Sequence, residues 1–220
     1  HRDLHSFPTR RSSDLGPTME PIDPVRFISN HSSGRMGIAL ADEAAALGAE
    51  VTLVLGPVNL SPAHPDVKTV AVKTAAEMKE ASVTAFRECD IAILAAAVAD
   101  FTPETTSATK IKRGPGEMVI RLKPTEDIAA YLGSMKRSGQ FLAGFALETD
   151  NETANAMDKL KRKNLDMIIL NSLRDEGAGF GYETNRITII DSNNNIDKFE
   201  LKSKGEVALD ILRRIISLTG

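Results

Sequence analysis

The chain has 220 residues, of which 42% are hydrophobic and 26% charged, a composition typical of one or two ordinary globular domains. It contains no run of about 18 consecutive apolar residues, which excludes a membrane-spanning helix, and its net charge of −3 provides no general positive field that would attract nucleic acid. A single cysteine, Cys89, excludes an internal disulfide and a thiolate zinc site, and it fits a reducing cytoplasm.

Residues 1–15, HRDLHSFPTRRSSDL, have neither apolar periodicity nor a hydrophobic centre, so they predict neither a strand nor a signal peptide. They resemble the translated read-through of a sequencing-adapter oligonucleotide, and we interpret them as a non-native or disordered leader. A doubly wound domain needs an apolar strand directly before Gly16, and the sequence has none there. We therefore expect that residues 16–220, the one predicted domain, have lost their first strand by truncation.

From residue 33 onward the pattern alternates between helix and strand. Apolar positions from Ile38 to Leu47 form one face of a helix that ends at Gly48, and Thr74 with Glu77 forms a capping box at the start of a second helix. A β-branched and leucine run predicts a strand at 51–55. Apolar runs typical of strands buried on both faces of a parallel sheet follow at residues 91–94, 141–145 and 167–170. This order predicts an α/β fold, a Rossmann-like three-layer α/β/α sandwich with a mostly parallel sheet.

The rest of the chain has three further features. Residues 101–116 form a polar loop of a length that usually indicates a function or a lid. Thr149 and Glu152 form another capping box, for a helix that extends to about residue 164. Alternating residues on either side of the turn-rich segment 191–195 predict a β-hairpin appended to the core, and a last helix covers about 204–218.

Residues 29–37, SNHSSGRMG, bring hydroxyls, glycines and an amide to a predicted helix N-terminus, which suits a phosphate or a carboxylate. Taken alone, these residues are explained more simply by a capped helix start. The run lacks both the lysine-hydroxyl ending of a P-loop and the complete glycine fingerprint of a dinucleotide site. Asn30 cannot titrate, so in an acyl-transfer site it would act as a fixed donor to a developing oxyanion.

Three more segments are candidates for contacts with a nucleotide. Residues 95–100 end a buried strand, where small side chains either admit a ribose or only pack the strand against a helix. Residues 110–113, KIKR, precede two glycines, which favours a mobile cationic flap over a solvated face. Lys159 and Lys163 lie one turn apart on a helix, where two ammoniums repel unless an anion lies between them; a solvated basic flank is the alternative.

These motifs together resemble one family, the bacterial phosphopantothenoylcysteine synthetases, which usually form the C-terminal half of a bifunctional coenzyme A biosynthesis protein. The resemblance covers nearly everything after residue 15 and depends on GPT at 16–18, SNHSSG at 29–34, AAVAD at 96–100, KIKR at 110–113, GFALET at 144–149 and KRKNLD at 161–166. Met19, Arg35 and the turn at 124–127 depart from the usual family pattern, and the turn leaves base recognition open.

The resemblance implies a cytoplasmic ligase that joins 4′-phosphopantothenate to L-cysteine, uses CTP with Mg²⁺ and passes through an acyl-cytidylate. It also implies a homodimer, with no nucleic acid or membrane partner, and FMN only if a flavin decarboxylase domain precedes these residues in the full-length protein. Motif positions imply Asn30 as a catalytic amide and Lys110 as a flap cation needed for the second half-reaction.

The resemblance further implies which residues contact the ligands. The nucleotide contacts are Ala96, Asp100, Lys110, Glu126, Asp127, Ile128, Ala129, Phe145, Lys159 and Lys163. The contacts with the acid substrate are Arg26, Asn30, Ser32, Ser33 and Gly34; Arg26 equally suits a contact with a neighbouring subunit. The residues that bind the metal stay unassigned.

Two other functions stay open. One is an NAD(P)-dependent oxidoreductase of the Rossmann type, which the incomplete glycine fingerprint and the lack of a Tyr-x-x-x-Lys pair disfavour. The other is a nucleotide-binding module without catalytic activity, which the expected truncation would favour.

Overall fold

The structure is a computed structural model that describes residues 10–148, 150–172 and 182–220. Its helices are α1 (Arg35–Ala46), α2 (Ala75–Phe86), α3 (Ile128–Met135), α4 (Glu152–Arg162) and α5 (Lys204–Thr219). Its strands are β1 (Arg10–Leu15), β2 (Met19–Pro21), β3 (Phe27–Ser29), β4 (Glu50–Leu55), β5 (Lys68–Ala71), β6 (Ile91–Leu94), β7 (Phe101–Pro103), β8 (Leu122–Pro124), β9 (Phe141–Glu148), β10 (Met167–Ser172), β11 (Thr184–Asn185), β12 (Ile187–Asp191), β13 (Ile196–Lys198) and β14 (Lys202–Ser203).

One eight-stranded sheet, in the order β13-β12-β10-β9-β6-β1-β4-β5, forms the middle layer. Six neighbouring strands of this sheet, β10, β9, β6, β1, β4 and β5, are parallel to one another. The β12–β13 hairpin continues the sheet in antiparallel pairing. Numbered along the chain, the parallel part has the order 3-2-1-4-5-6 of a doubly wound sheet. The predicted Rossmann-like sandwich with an appended hairpin is therefore confirmed.

Helices cover both faces of this sheet, as the continuous apolar runs predicted. Neighbouring residues of β4 illustrate the arrangement, since Leu53 points into the core shared with α1 and α5 and Val54 into the core shared with α2, α3 and α4. Both side chains are fully buried, and burial of one such side chain stabilises the fold by about 1.5–3 kcal/mol. Within the described residues, no helix is both long and apolar enough to cross a membrane.

The predicted helix ends are confirmed for α1 and α2. Gly48 lies two residues beyond α1 with a φ of 86°, a left-handed conformation that favours glycine. Thr74 accepts from the Glu77 amide at 3.2 Å, and the Glu77 carboxylate accepts from the Thr74 amide at 3.3 Å. Thr149 of the predicted capping box lies outside the described residues; within them, α4 begins at Glu152 with Asn151 as its N-cap.

Within the described residues, three short two-stranded sheets accompany the main one, and the sequence patterns predicted none of them. β2 pairs with β3, β7 with β8, and β11 with β14. The predicted polar loop therefore begins in a strand, because Phe101 lies opposite Pro124 in the β7–β8 pair. The β2–β3 hairpin contacts β7, so these two small sheets form one unit beside the main sheet.

Residues 10–15 form the central strand β1, so the expectation that they contain no strand, and that the sheet lacks its first one, is wrong. β1 pairs in parallel with β4 on one side and with β6 on the other. The physical reason is that a gap between two strands offers backbone partners on both sides, which any run without proline can use. The side chains of β1 are mostly polar, so hydrophobic periodicity could not predict the strand.

The polar side chains of β1 are buried in the middle of the sheet. Arg11, Ser12, Ser13 and Asp14 are each at most 5% exposed. Ser13 donates to the Ile93 carbonyl at 2.9 Å, whereas Asp14 Oδ1 accepts no hydrogen bond from any described residue. Burial raises the pKa of Asp14 to about 7 and lowers the pKa of Arg11 to about 10. β1 therefore stabilises the fold less than an apolar strand in the same place would.

This burial predicts that Asp14 makes the stability of the fold depend on pH. In an unfolded chain an aspartate titrates near about 4, whereas Asp14 in the fold keeps its proton up to a pKa of about 7. The unfolding free energy should therefore fall as the pH rises from about 4 to about 7 and then level off. We expect Asp14→Asn to remove most of this fall, as measured by urea unfolding at pH 5 and pH 8.

Glu80→Gln is the matched control, because Glu80 is exposed on α2, the helix that faces Asp14 through Ser82. It should shift the stability by the same small amount at both pH values. If Asp14→Asn also does so, Asp14 does not carry the pH dependence.

Candidate functional site

The strand order of the sheet reverses between β1 and β6, and ligands of doubly wound proteins bind outside the carboxyl ends of the strands at this point. β1 leads into Gly16, and β6 leads into residues 95–100. Pro17 forms a parallel bridge with Ala97, and the Ala97 amide donates to the Gly16 carbonyl at 3.0 Å. The two segments therefore leave the sheet side by side, and we take the crevice beside them as the candidate active site.

Thr18 joins these two segments to a third, and sequence reasoning did not single it out. Its hydroxyl accepts from the Ala99 amide at 3.0 Å, and its carbonyl accepts from the Ser29 hydroxyl at 2.7 Å. Thr18 is fully buried. These two hydrogen bonds hold the end of β3, and thus Asn30, next to the end of β6.

Two glycines allow the SNHSSG turn to lie against the end of β1. Gly16 and Gly34 have φ values of 80° and 71°, a conformation that side chains disfavour. A Cβ atom at either position would lie 3.1 Å from Val58 Cγ1. Gly34 is also the N-cap of α1 and provides no side-chain cap, so the first turn of α1, next to Ser32 and Ser33 in the chain, has amides without a side-chain acceptor from its N-cap, which suits an anion.

Asn30 contacts the end of β6 directly. Its Nδ2 donates to the Ala97 carbonyl at 3.2 Å and to the Val98 carbonyl at 3.0 Å. The side chain is exposed. Both amide hydrogens therefore have partners in the chain, so a hydrogen bond to a reaction intermediate requires that Asn30 release one of these carbonyls.

The segment that precedes α3 lies against the same strand end. The Thr125 amide donates to the Asp100 carbonyl at 2.9 Å, and its hydroxyl donates to the Ala99 carbonyl at 2.6 Å. Asp127 then caps α3 by accepting from the Ala130 amide at 3.0 Å. The structure thus brings residues 126–129, which were predicted as nucleotide contacts, next to Asp100. Asp100 is exposed.

Lys159 of α4 and Lys163, the C-cap of this helix, each pair with a carboxylate. Lys163 Nζ lies 2.9 Å from Asp127 Oδ2, and Lys159 Nζ lies 2.5 Å from Glu148 Oε1. Burial alone would raise the pKa of Asp127, but hydrogen bonds from Lys163 and the Ala130 amide outweigh it and lower the pKa. Because each ammonium already has a carboxylate partner, the repulsion inferred from their spacing does not require a bound anion.

Contacts therefore connect most of the predicted site along the carboxyl edge of the sheet, from Asn30 through residues 96–100 and 125–127 to Lys163. Lys159 follows one turn earlier on α4. Phe145 is different: it packs into the core below α1 and α5, on the opposite face of the sheet from α4. No described contact joins Phe145 to the two lysines.

The predicted flap is hydrogen-bonded to the β2–β3 hairpin. The Ile111 amide donates to Asp23 Oδ2 at 3.1 Å, and Arg26 donates to the Ile111 carbonyl. Within the described part of the chain, the ammoniums of Lys110 and Lys112 form no ion pair. The flap is therefore anchored through its backbone while its lysines stay available.

The described residues contain no group of three or more His, Cys, Asp or Glu side chains that would hold a metal ion. A cavity of about 590 Å³ lies at the amino edge of the sheet, and its described lining includes Arg87, Asp90, Arg137 and Gln140. No residue of the candidate site lines this cavity. The candidate site lies at the opposite, carboxyl edge of the sheet.

Comparisons with known proteins show which family the chain belongs to. A family model described as the C-terminal domain of DNA/pantothenate metabolism flavoproteins matches residues 14–218. The chain is 44% identical over 204 residues to a coenzyme A biosynthesis bifunctional protein CoaBC of Bacillus subtilis, with 93% of this chain and 50% of that protein covered. The crystal structure of a CoaBC C-terminal domain superposes with a TM-score of 0.83 at 38% identity and covers 98% of each chain. The predicted resemblance is thereby confirmed.

Another relative has a different description. A cysteine/cysteine sulfinic acid decarboxylase from an unknown prokaryotic organism is 77% identical over 205 residues, which are 93% of this chain and 57% of that protein. The chain thus spans about half the length of the curated relatives it matches.

The role of Thr18 as a junction predicts a stability effect. Thr18→Val keeps the shape of the side chain but leaves the buried Ala99 amide without its acceptor, which should lower the unfolding free energy by roughly 1–3 kcal/mol. Amide hydrogen exchange at Ala99 should accelerate at the same time. Thr69→Val, on the exposed strand β5, is the matched control, and equal destabilisation by both substitutions would contradict the role of Thr18.

Proposed function

The chain belongs to the DNA/pantothenate metabolism flavoprotein C-terminal domain family, and from this premise we propose that it is a CTP-dependent ligase. The reaction joins 4′-phosphopantothenate to L-cysteine and yields 4′-phosphopantothenoylcysteine for coenzyme A biosynthesis. The observation that carries the proposal is the row of contacts at the switch point, which connects Asn30, residues 97–100 and 125–127, and Lys163.

The chemistry of the first half-reaction explains why such a crevice needs cations. A carboxylate oxygen of the pantothenate attacks the α-phosphorus of CTP, a P–O bond to pyrophosphate breaks, and an acyl-cytidylate forms. Both reactants are anionic, so positive groups must lower their repulsion. Lys159 and Lys163 meet this need by exchanging Glu148 and Asp127 for phosphate oxygens, and Lys110 supplies a further charge from the flap. Mg²⁺ enters with the triphosphate as part of the substrate, which fits a site without a three-residue metal cluster among the described side chains.

In the second half-reaction the cysteine amine attacks the acyl carbon, and CMP leaves with the electron pair of the broken C–O bond. The amine loses a proton as the amide forms. Negative charge develops on the acyl oxygen before CMP departs, and a fixed amide donor stabilises this charge. We assign this donor to Asn30, which gives up one of its two carbonyl partners as the oxyanion forms.

The proposal includes a second copy of the chain as partner. The β2–β3 hairpin and the adjoining β7–β8 pair expose Val25, Phe27, Phe101 and Leu122, each more than 40% accessible. Exposed apolar side chains on neighbouring elements are typical of a protein interface. A homodimer through these two small sheets covers them, and it brings Arg26 of the hairpin to the edge of the interface.

Two further parts of the proposal concern the setting of the reaction. We place it in the cytoplasm, in keeping with the free, buried thiol of Cys89. FMN belongs to a decarboxylase unit of the full-length protein if that protein has one, and we assign no residue of this chain to it.

The direct test is to mix the protein with 4′-phosphopantothenate, CTP and Mg²⁺ and to follow pyrophosphate. Release that needs the pantothenate, followed by product when cysteine is added, is the expected result. CTP binding without release would favour a nucleotide-binding module, and a change in NADH absorbance with an added substrate would favour an oxidoreductase. Release of CO₂ from cysteine or cysteine sulfinate would favour the activity named for the 77% identical relative.

For the proposed donor, we expect Asn30→Ala to lower the rate of product formation by about 10²–10³-fold because the oxyanion loses its fixed amide. Steady-state assays with all substrates saturating measure the effect. Asn59→Ala, which removes an exposed amide from a loop, is the control and should keep the wild-type rate. A rate for Asn30→Ala within two-fold of wild type would contradict the assignment.

A further inference from the structure

The carboxylate of Asp23 lies at the tip of the β2–β3 hairpin and accepts five hydrogen bonds. Oδ1 accepts from the amides of Val25 and Arg26, each at 2.8 Å. Oδ2 accepts from Arg26 Nε at 3.0 Å, from Arg26 Nη2 at 2.6 Å and from the Ile111 amide at 3.1 Å. The Asp23 side chain is 0% exposed, whereas the Arg26 side chain is 39% exposed.

This cluster binds both backbone polar groups of Ile111. The amide of Ile111 donates to Asp23, and its carbonyl accepts from Arg26 Nη2. Asp23 and Arg26 also form an ion pair with each other, so one paired unit holds both the amide and the carbonyl of this flap residue. Ile111 lies between Lys110 and Lys112, so the grip fixes the backbone at the point where the two flap lysines project.

More contacts join the same two segments nearer the base of the flap. The Ser107 amide donates to the Ile22 carbonyl at 3.0 Å, and the Thr106 hydroxyl donates to the Pro21 carbonyl at 3.1 Å. They do not involve the Asp23 carboxylate. Removal of that carboxylate should therefore release the flap around Ile111 but leave its base attached.

This arrangement needs an ionised carboxylate, because N–H groups donate all five hydrogen bonds and both oxygens of Asp23 act only as acceptors. Burial alone would raise the pKa of Asp23, but the amides of Val25, Arg26 and Ile111 and the Arg26 guanidinium outweigh burial and hold the pKa well below its usual range. An asparagine fills the same space, but its NH₂ group would face N–H donors. Asp23→Asn thus breaks the cluster with almost no change in volume.

We propose that Asp23 is a positioning residue that fixes the flap at Ile111 and so sets where Lys110 meets the ligand. The proposal rests on the proposed function in one respect, the role of Lys110 in the ligase reaction. The grip on the flap backbone does not depend on that role, so it is tested separately.

The flap contains its own probe, since trypsin cleaves after Lys112 and Arg113. A backbone held at Ile111 by two hydrogen bonds must be released before a protease can bind it, so wild-type protein should be cleaved slowly there. We expect Asp23→Asn to accelerate cleavage after these two residues at least ten-fold, as followed by mass spectrometry of the intact fragments. Glu104→Gln, an exposed carboxylate at the base of the flap, is the matched control and should keep the wild-type rate.

A second variant keeps the test decisive if Asp23→Asn does not fold. Ile111→Pro removes the amide donor from the flap and leaves Asp23 and Arg26 paired, so it should also accelerate cleavage after Lys112 and Arg113. Circular dichroism establishes which variants are folded. Cleavage at the wild-type rate in the folded variants would overturn the proposal.

The activity arm asks whether Asp23 acts through Lys110. If it does, Asp23→Asn lowers kcat/KM, and the double variant with Lys110→Gln is no slower than Lys110→Gln alone. Multiplicative losses would overturn the action through Lys110. Absence of ligase activity in the wild-type protein would defeat the proposed function, while the trypsin result would still decide whether Asp23 holds the flap.

Discussion

The hydrogen bond from the buried Ala99 amide to the Thr18 hydroxyl is the interaction on which the candidate site depends. It fastens the segment after β1 to the segment after β6, the two strands between which the sheet order reverses. Asn30 and Thr125, which precedes α3, take their places from this junction because each donates to backbone carbonyls within residues 97–100, the segment that ends in Asp100. Hydrogen bonds to the backbone therefore position the side chains that act on a ligand in the proposed chemistry.

This junction directly follows β1, the strand whose buried side chains are mostly polar. β1 buries Arg11 and Asp14 between two apolar strands. Burial lowers the pKa of Arg11 and raises the pKa of Asp14, so it disfavours the charged form of each. Gly16 follows this strand directly, so any loosening of β1 moves one side of the crevice. Stability and site geometry are thus coupled through residues 14–18.

Local signals in the sequence predicted much of the fold. The Thr74–Glu77 capping box, the stop at Gly48 and the apolar run at 91–94 each need only a few neighbouring residues, and the structure confirms all three. β1 escaped prediction because its strand character comes from the neighbours it joins, not from its own polar side chains.

Site residues could be predicted from the sequence only where they belong to a recognisable motif. Asn30, Asp100 and Lys163 lie along one edge as expected, but Thr18 was missed because its partner is 81 residues away. Asp23 was missed for the same reason, since its flap partner is 88 residues away. Phe145 shares the edge in sequence, yet side-chain alternation along β9 turns it to the other face.

The central claim is that the ligand binds at the carboxyl edge of the sheet, between β1 and β6. Hydrogen-exchange mass spectrometry with and without CTP and Mg²⁺ tests it most directly. The account predicts slower exchange in the peptides that cover residues 29–37 and 95–100. Unchanged exchange there, with slowing at 87–90 and 137–140 around the cavity at the amino edge, would contradict it.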